Sequence, residues 1–165
     1  NINSLLIKSM VITSPSGAVV TIQRDSPKKK DFKLTAPKGK PERGQWETNE
    51  MTKALEKLKL EDLRIAGAVK FPGGPYVGVI TTFDGVIIRT EAAELGPKGK
   101  KEHWVRFRAE VAPDAGRFAE SAWKQVTDIN SRLKGYVYKV PEAVGKRLAC
   151  ELKNILEGAG VNACA

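Results

Sequence analysis

Residues 82–110, TFDGVIIRTEAAELGPKGKKEHWVRFRAE, contain two runs in which apolar and polar residues alternate, each preceded by a glycine-bearing turn. Alternation with a period of two predicts β-strands that bury one face. Asp84-Gly85 predicts a tight hairpin turn, because a two-residue turn needs positive φ angles. In the last run, one face carries His103, Val105, Phe107, Ala109 and Val111, and the other carries Trp104, Arg106, Arg108 and Glu110. With residues 77–83, the stretch predicts a three-stranded antiparallel meander whose outer face is half solvated.

A similar order of elements precedes this meander. Three predicted strands, residues 6–13, 18–25 and 32–36, are separated by SPSG and SPKKKD. Thr48 is a predicted N-cap of a helix, and the short segment EDLRIAG predicts a strand after it. The helix carries apolar residues at helical spacing: Met51, Ala54, Leu55 and Leu58.

The segment after the meander predicts a second, longer helix, then a strand and a closing helix. The apolar stripe of the longer helix comprises Phe118, Ala119, Ala122, Trp123, Val126, Ile129 and Leu133. Gly135 is its predicted C-cap, and residues 136–140 alternate as a strand. Pro141 opens the closing helix, which ends at Gly158 and carries Val144, Leu148, Leu152 and Ile155.

These patterns predict an α+β fold made of two tandem β-β-β-α-β units, antiparallel meanders backed by helices, with a closing C-terminal helix. The predicted boundaries are residues 1–70 for the first unit, 71–76 for a linker, 77–157 for the second unit with the closing helix, and 158–165 for a flexible tail. A shared apolar interior is expected to bury Ile88, Val105, Phe107, Phe118, Trp123, Val126, Leu148 and Leu152.

The composition is that of a folded protein and not of a disordered one. The chain has 165 residues, of which 41% are hydrophobic and 28% are charged. The longest apolar runs are too short to cross a bilayer. Because the sequence starts at Asn1 without an initiator methionine, we expect a processed product or a fragment from which an anchor or targeting segment has been removed.

The formal net charge of +9 favours anionic partners, and the lysines cluster at predicted turns. Lys28, Lys29 and Lys30 lie between the second and third strands of the first unit, and Lys98, Lys100 and Lys101 lie in the equivalent turn of the second. These six lysines are candidate contacts to an anionic surface. The alternative interpretation is that they are ordinary solvated turn residues that discourage edge association.

No catalytic, metal or cofactor site is predicted. His103 is the sole histidine, so a zinc site would need the two cysteines and carboxylates at spacings that no motif supports. No nucleophile-elbow pattern surrounds a serine or cysteine. The glycine-rich segments FPGGPY and GPKGKK are not followed by helices, which excludes a phosphate loop. Trp104 alone does not make the paired-aromatic surface of an RNA-recognition sheet.

Five segments together resemble the bacterial domain of unknown function 4340 family. They are SMVITSPSGAVVTIQRDSPKKKDFKLTAPKGK, TNEMTKALEKLKLEDLR, TFDGVIIRTEAAELG, HWVRF and GYVYKVPEAVGKRL. The resemblance covers residues 6–156, through diffuse hydrophobic patterns and not through catalytic signatures. It implies a domain carried outside the cytoplasmic membrane behind an N-terminal anchor helix, in some cases alongside auxiliary components of gliding-motility-type ABC transporters. The lysine-rich turns and the cysteine-bearing tail depart from the family pattern.

The leading hypothesis is therefore an extracytoplasmic, membrane-tethered binding or assembly module of a bacterial envelope or ABC-transporter complex, without catalysis. Its expected partners are envelope or transporter proteins and an anionic membrane surface. A basic domain that binds nucleic acid or another polyanion is one alternative, and an enzyme of unrecognised type is the other.

Two cysteines make the extracytoplasmic hypothesis testable. On a continuous closing helix, Cys150 falls away from the apolar stripe and toward the polar face. The tail AGVNACA is long enough to double back and bring Cys164 near Cys150. Outside the cytoplasm, such a pair would tend to form a disulfide, whereas the alternative is two free thiols.

Overall fold

The computed structural model describes residues 2–38 and 45–155, apart from the side chains of Gln45 and Leu152. Within these residues there are eight strands: β1 Ile7–Thr13, β2 Val19–Gln23, β3 Lys33–Ala36, β4 Asp62–Ile65, β5 Tyr76–Thr82, β6 Val86–Leu95, β7 Glu102–Val111 and β8 Tyr136–Val140. The α-helices are α1 Gln45–Thr52, α2 Ala119–Leu133, α3 Glu142–Leu148 and α4 Leu152–Ile155. Single 3-10 turns span Ser4–Leu6, Lys53–Leu55, Ala66–Ala68 and Gly116–Phe118.

The strands form one antiparallel sheet in the order β3-β2-β1-β5-β6-β7-β8-β4. The predicted α+β class is confirmed. A hairpin turn joins β5 to β6 as predicted, but it spans the three residues 83–85 and not two, and within it only Gly85 has a positive φ, of 85°. The antiparallel pairing of β1 with β5 joins the two halves of the chain edge to edge. The predicted unit boundaries stay a prediction.

The position of β4 does not fit the predicted arrangement of two self-contained units. In the second half, β8 pairs with β7, the third strand of its own meander. In the first half, β4 does not return to β3. It crosses to the far edge of the sheet and pairs with β8. The order of elements thus repeats along the chain, but the tandem arrangement of two closed units is not confirmed.

The helices pack on one face of the sheet, and the main core lies between them and the strands. The predicted inward face of β7 is confirmed, because Val105 is 0% exposed and Phe107 is 6% exposed. Ile88 and Leu148 are buried as predicted, and Val126 is partly buried against the core. Leu152 belongs to the predicted core, but its side chain lies outside the described residues.

The prediction that Phe118 and Trp123 are buried is wrong. Phe118 is 36% exposed and Trp123 is 62% exposed. Helix α2 approaches the sheet closely at Ala122, whose side chain is fully buried. Trp123 lies one residue further and therefore about 100° around the helix, outside the narrow stripe that contacts the core. Phe118 precedes α2, in the 3-10 turn that leads into it.

The outer face of the sheet is partly covered, which the sequence did not predict. Trp104 was expected to be solvated but is only 1% exposed. It packs with Val69 and Val137 in a second apolar cluster, joined by Phe71. The Arg106 guanidinium helps to hold this cover, because it stacks on Phe71 at 4.3 Å. The segment that leads from β4 to β5 therefore packs across the sheet.

Two helix predictions need correction. Helix α1 begins at Gln45, so Thr48 lies inside it and is not its N-cap. The Thr48 hydroxyl instead donates a hydrogen bond to the Phe32 carbonyl at 3.0 Å. The predicted closing helix is interrupted after Leu148, where α3 ends, and α4 begins four residues later.

Candidate functional site

The two predicted lysine clusters lie in equivalent connections of the two halves, but at opposite ends of the sheet. Residues 24–32 connect β2 to β3, and residues 96–101 connect β6 to β7. All six side chains are exposed: Lys28, Lys29, Lys30, Lys98, Lys100 and Lys101. Because β1 and β5 are antiparallel, the second meander is rotated by a half turn relative to the first. One flat surface therefore cannot contact both clusters together.

Three connections meet at the end of the sheet that carries Lys28, Lys29 and Lys30. They are residues 24–32, the β5–β6 turn at residues 83–85, and residues 112–118 between β7 and α2. Residues 2–6, which precede β1, lie at the same end. We name this end of the molecule the basal end.

Buried Arg24 organises the basal end through three backbone carbonyls. It is 4% exposed. Its Nε donates to the Ile7 carbonyl at 2.8 Å, Nη1 donates to Lys29 at 2.7 Å, and Nη2 donates to Ser4 at 2.9 Å. One guanidinium thus fixes the segment before β1 against the lysine-bearing connection.

Aromatic rings enclose this guanidinium. It lies 4.8 Å from the centre of the Phe32 ring and 5.6 Å from that of Phe83. The backbone N–H of Phe83 donates to the Leu6 carbonyl at 2.8 Å, so the β5–β6 turn is tied to the same segment. The two rings therefore stabilise the buried guanidinium by cation–π contacts, in addition to its hydrogen bonds.

Apolar side chains project to solvent beside the lysines. Leu5 is 57% exposed and Leu6 is 37% exposed. A neighbouring cleft of about 280 Å³ is lined by Phe83, Arg117 and Phe118, among others. The Arg117 guanidinium stacks 4.8 Å from the centre of the Phe118 ring. The basal end thus combines exposed leucines, an exposed phenylalanine and cations.

Two cations of the basal end are already paired. Lys29 contacts Asp25 at 2.7 Å, and this hydrogen bond holds the pKa of the Asp25 carboxyl below its usual value. Lys8 lies 3.4 Å from Asp114. Within the described part of the chain, Lys28, Lys30 and Arg117 form no ion pair, so they can serve an external anion.

A second concavity of about 330 Å³, at the opposite end, contains His103. The His103 side chain is nearly buried, and its Nε2 lies 4.0 Å from a Glu94 carboxylate oxygen. Its ring packs so closely on Gly145 of α3 that a Cβ at this position would overlap it. His103 is thus a packed residue at the start of β7, and the close approach of α3 depends on glycine.

Tyr76 and Glu151 line the same cleft. The Tyr76 hydroxyl donates to Glu151 at 2.5 Å. Burial, reinforced by this hydrogen bond, raises the pKa of Tyr76 to about 12. Hydrogen bonds from Lys153 and then from Tyr76 hold the pKa of Glu151 below its usual value. A neutral phenol and a carboxylate therefore link β5 to the segment between α3 and α4 across the neutral pH range.

Neither serine nor cysteine is among the described residues that line the cleft, so these residues form no Ser–His or Cys–His pair. In residues 2–38 and 45–155, no group of three or more histidine, cysteine and carboxylate side chains is placed to hold a metal ion. The contacts at His103, Tyr76 and Glu151 instead fasten α3 and the segment after it to the sheet.

The predicted orientation of Cys150 is wrong. Because α3 ends at Leu148, Cys150 lies between two helices and not on the polar face of one. Its side chain is 1% exposed and belongs to the main core. Cys164 lies outside the described residues, so the pairing of the two cysteines stays a prediction.

Thiol labelling tests that pairing. In denatured protein without reductant we expect no reactive thiol, because a bridge would close a loop of about fifteen residues and stabilise the fold by roughly 3 kcal/mol in the chain-entropy model. Reduction should expose two thiols. Cys164→Ser is the control and should give one reactive thiol before reduction. Two reactive thiols in unreduced wild-type protein would contradict both the bridge and an oxidising compartment.

Sequence reasoning found the lysines of the basal end but missed the residues that organise it. Arg24 follows Val20 and Ile22 at a spacing of two and therefore lies on the apolar face of its strand, a signal of burial that was not used. Leu5 and Leu6 were a second unused signal. Of two neighbouring apolar residues at a strand start, one must face away from the core, which predicts an exposed leucine at this end of the molecule.

None of the described helices is both long enough and apolar enough to span a bilayer. Comparison of the chain with known protein families, curated proteins and solved structures found no match. The resemblance to the domain of unknown function 4340 family therefore stays a hypothesis that the quoted segments alone support.

Proposed function

We propose that this protein is a non-catalytic binding or assembly module of the bacterial envelope, and that its basal end contacts an anionic membrane surface. The observation that carries the proposal is the placement of exposed Leu5 and Leu6 beside Lys28 and Lys30, cations without an ion pair among the described residues. Arg24 connects the two segments that carry these residues, through its hydrogen bonds to the Lys29 and Ser4 carbonyls. The family resemblance adds the extracytoplasmic side, a tether to the membrane and a transporter or envelope complex as the partner.

The chemistry of the basal end fits a lipid interface. A lysine near an anionic bilayer contributes about 1 kcal/mol to binding. A leucine side chain that leaves water for the acyl boundary contributes up to about 1.5–3 kcal/mol when it is fully buried. Two lysines and two leucines therefore give weak, reversible association, which is suited to orienting a domain that another segment anchors.

Nucleic acid fits this surface less well. Proteins bind phosphate backbones through lysine and arginine and stack bases on aromatic rings. Exposed leucines contribute to neither interaction, whereas they match the apolar layer beneath lipid head groups. The leucines thus favour the membrane over the alternative of a polyanion-binding domain.

Vesicle co-sedimentation tests the proposal. We expect binding to vesicles rich in phosphatidylglycerol, weak binding to phosphatidylcholine vesicles, and loss of binding as salt rises, because salt screens the lysine contribution. The double change of Lys28 and Lys30 to glutamate should abolish binding. Replacement of Leu5 and Leu6 with serine should weaken it by about tenfold or more, since the apolar contribution is lost.

The opposite end of the molecule supplies a matched control. Lys98→Glu with Lys100→Glu makes the same charge change away from the basal end and should leave vesicle binding nearly intact. Equal loss from both double variants would show that only net charge matters. Tight binding to single-stranded nucleic acid that the leucine changes do not alter would favour the polyanion alternative and overturn the proposal.

A further inference from the structure

Strand β4 is an exposed sheet edge with apolar side chains. All four of its residues are exposed, and among the described strands it has a neighbour, β8, on one side only. Leu63 is 55% exposed and Ile65 is 68% exposed. Opposite Ile65 on β8 lies Tyr136, which is 43% exposed. Proteins usually cover or charge such an edge, because it is a template for another strand.

The backbone of Leu63 and Ile65 points to the free side of β4. The Ala66 N–H donates to the Gly135 carbonyl at 2.9 Å. Because hydrogen-bonded residues alternate along an antiparallel strand, Arg64 and Asp62 also face β8, and Leu63 and Ile65 face outward. In agreement, the Leu63 N–H donates to the Asp62 carboxylate at 2.8 Å and not to β8.

The charges of β4 are self-complementary. In an antiparallel pair centred on Leu63, Asp62 of each copy lies opposite Arg64 of the other, on the same face of the sheet. Opposite charges at directly facing positions stabilise a strand pair, whereas like charges destabilise it. The neighbouring register, with Leu63 opposite Ile65, places the two Arg64 residues opposite each other. Charge thus selects the register centred on Leu63.

We propose that the chain forms a symmetric dimer in which β4 pairs antiparallel with β4 of a second copy. The Leu63 N–H exchanges its local bond to Asp62 for the Leu63 carbonyl of the other copy. The freed carboxylate then meets Arg64, whose guanidinium carbon already lies over the Trp104 ring, 4.3 Å from its centre. On the other face, the Leu63 side chains of the two copies contact each other.

The symmetry has a consequence for the basal ends. The two-fold axis of an antiparallel strand pair that continues a sheet is perpendicular to that sheet. The two basal ends therefore point in opposite directions, and the dimer can contact two anionic surfaces at once. This consequence rests on the proposed membrane contact, but the dimer itself does not.

Analytical ultracentrifugation of single variants and their mixture tests the dimer. Wild-type protein should show a dimer whose fraction rises with concentration. Asp62→Arg and Arg64→Asp should each weaken association by about tenfold or more, because each places two like-charged pairs across the axis. An equimolar mixture of the two variants should recover the dimer, because the two arginines of one variant strand then face the two aspartates of the other.

Matched charge changes on α2, Glu120→Arg and Lys124→Asp, should leave association unchanged. Circular dichroism establishes that each variant is folded, and recovery in the mixture cannot come from unfolded chains. Wild-type protein that stays monomeric at all concentrations would overturn the dimer. So would a dimer that persists in both single variants, or variants whose mixture remains monomeric.

Discussion

Replacement of Phe107 with alanine is expected to lower the free energy of unfolding by about 3–5 kcal/mol. Phe107 is 6% exposed, and its ring centre lies 6.3 Å from that of Tyr138. It also lines a small apolar cavity of about 50 Å³ together with Ile88 and Ile129. Truncation would enlarge this cavity, so the lost transfer free energy and the cost of the void add. Urea unfolding monitored by circular dichroism measures the change.

Phe118 provides the matched control for Phe107. Sequence patterns predict both side chains to be buried, but Phe118 is 36% exposed. Phe118→Ala should therefore lower the free energy of unfolding by less than about 1 kcal/mol. Similar losses from the two variants would contradict the packing of α2 against β7 and the register of β7 itself.

The local alternation of residues 77–111 was enough to predict three strands and their buried face. In a strand that packs on a core, residues two apart lie on the same face, so one alternating set is buried. Val105 and Phe107 belong to that set and are buried. The hairpin at Asp84-Gly85 was predictable because glycine at positive φ between two such runs is typical of hairpin turns, but its length of three residues instead of two was not. Elements whose local pattern fits only one backbone structure can therefore be predicted from the sequence.

Features that depend on distant partners were not predictable. Strand β4 has four residues and no buried face, so its pattern contains no information about which strand it joins. Trp104 alternates with charged residues as a solvated side chain would, but the segment containing Val69 covers it. Whether a covering segment packs across a sheet is decided by tertiary contacts, which periodicity does not encode.

In the candidate site, too, local features were predictable and features that depend on tertiary contacts were not. Lysines at turns are visible in the sequence, but their placement at opposite ends follows from the antiparallel pairing of β1 with β5. Cys150 is buried because helix α3 ends before residue 149. That position is not a proline or glycine, so the sequence does not predict the end of the helix there. Arg24 acquires its role through contacts with Ser4, which lies twenty residues away.

Arg24→Ala should lower the free energy of unfolding by about 3 kcal/mol. It removes the donor to three carbonyls, and an unsatisfied buried acceptor costs about 1–3 kcal/mol. The full penalty applies at Ile7, which is 0% exposed, whereas water can reach the carbonyl of exposed Lys29. Arg24→Lys should recover little, because a single ammonium on a flexible stem cannot reproduce the planar fork between the Phe32 and Phe83 rings.

The same variant separates organisation from charge at the basal end. Arg24 is buried, so its replacement removes no exposed cation. The replacement does remove the hydrogen bonds that hold the segment of Leu5 and Leu6 against the segment of Lys28 and Lys30. Folded Arg24→Ala protein should therefore bind phosphatidylglycerol-rich vesicles more weakly than wild type. Arg89→Ala removes an exposed arginine on β6, paired with Glu110 at 2.9 Å, and should change stability by no more than about 1 kcal/mol without reducing vesicle binding. If Arg24→Ala left vesicle binding unchanged, the lysines would act as independent charges, and the fixed placement of the leucines beside them would have no part in membrane contact.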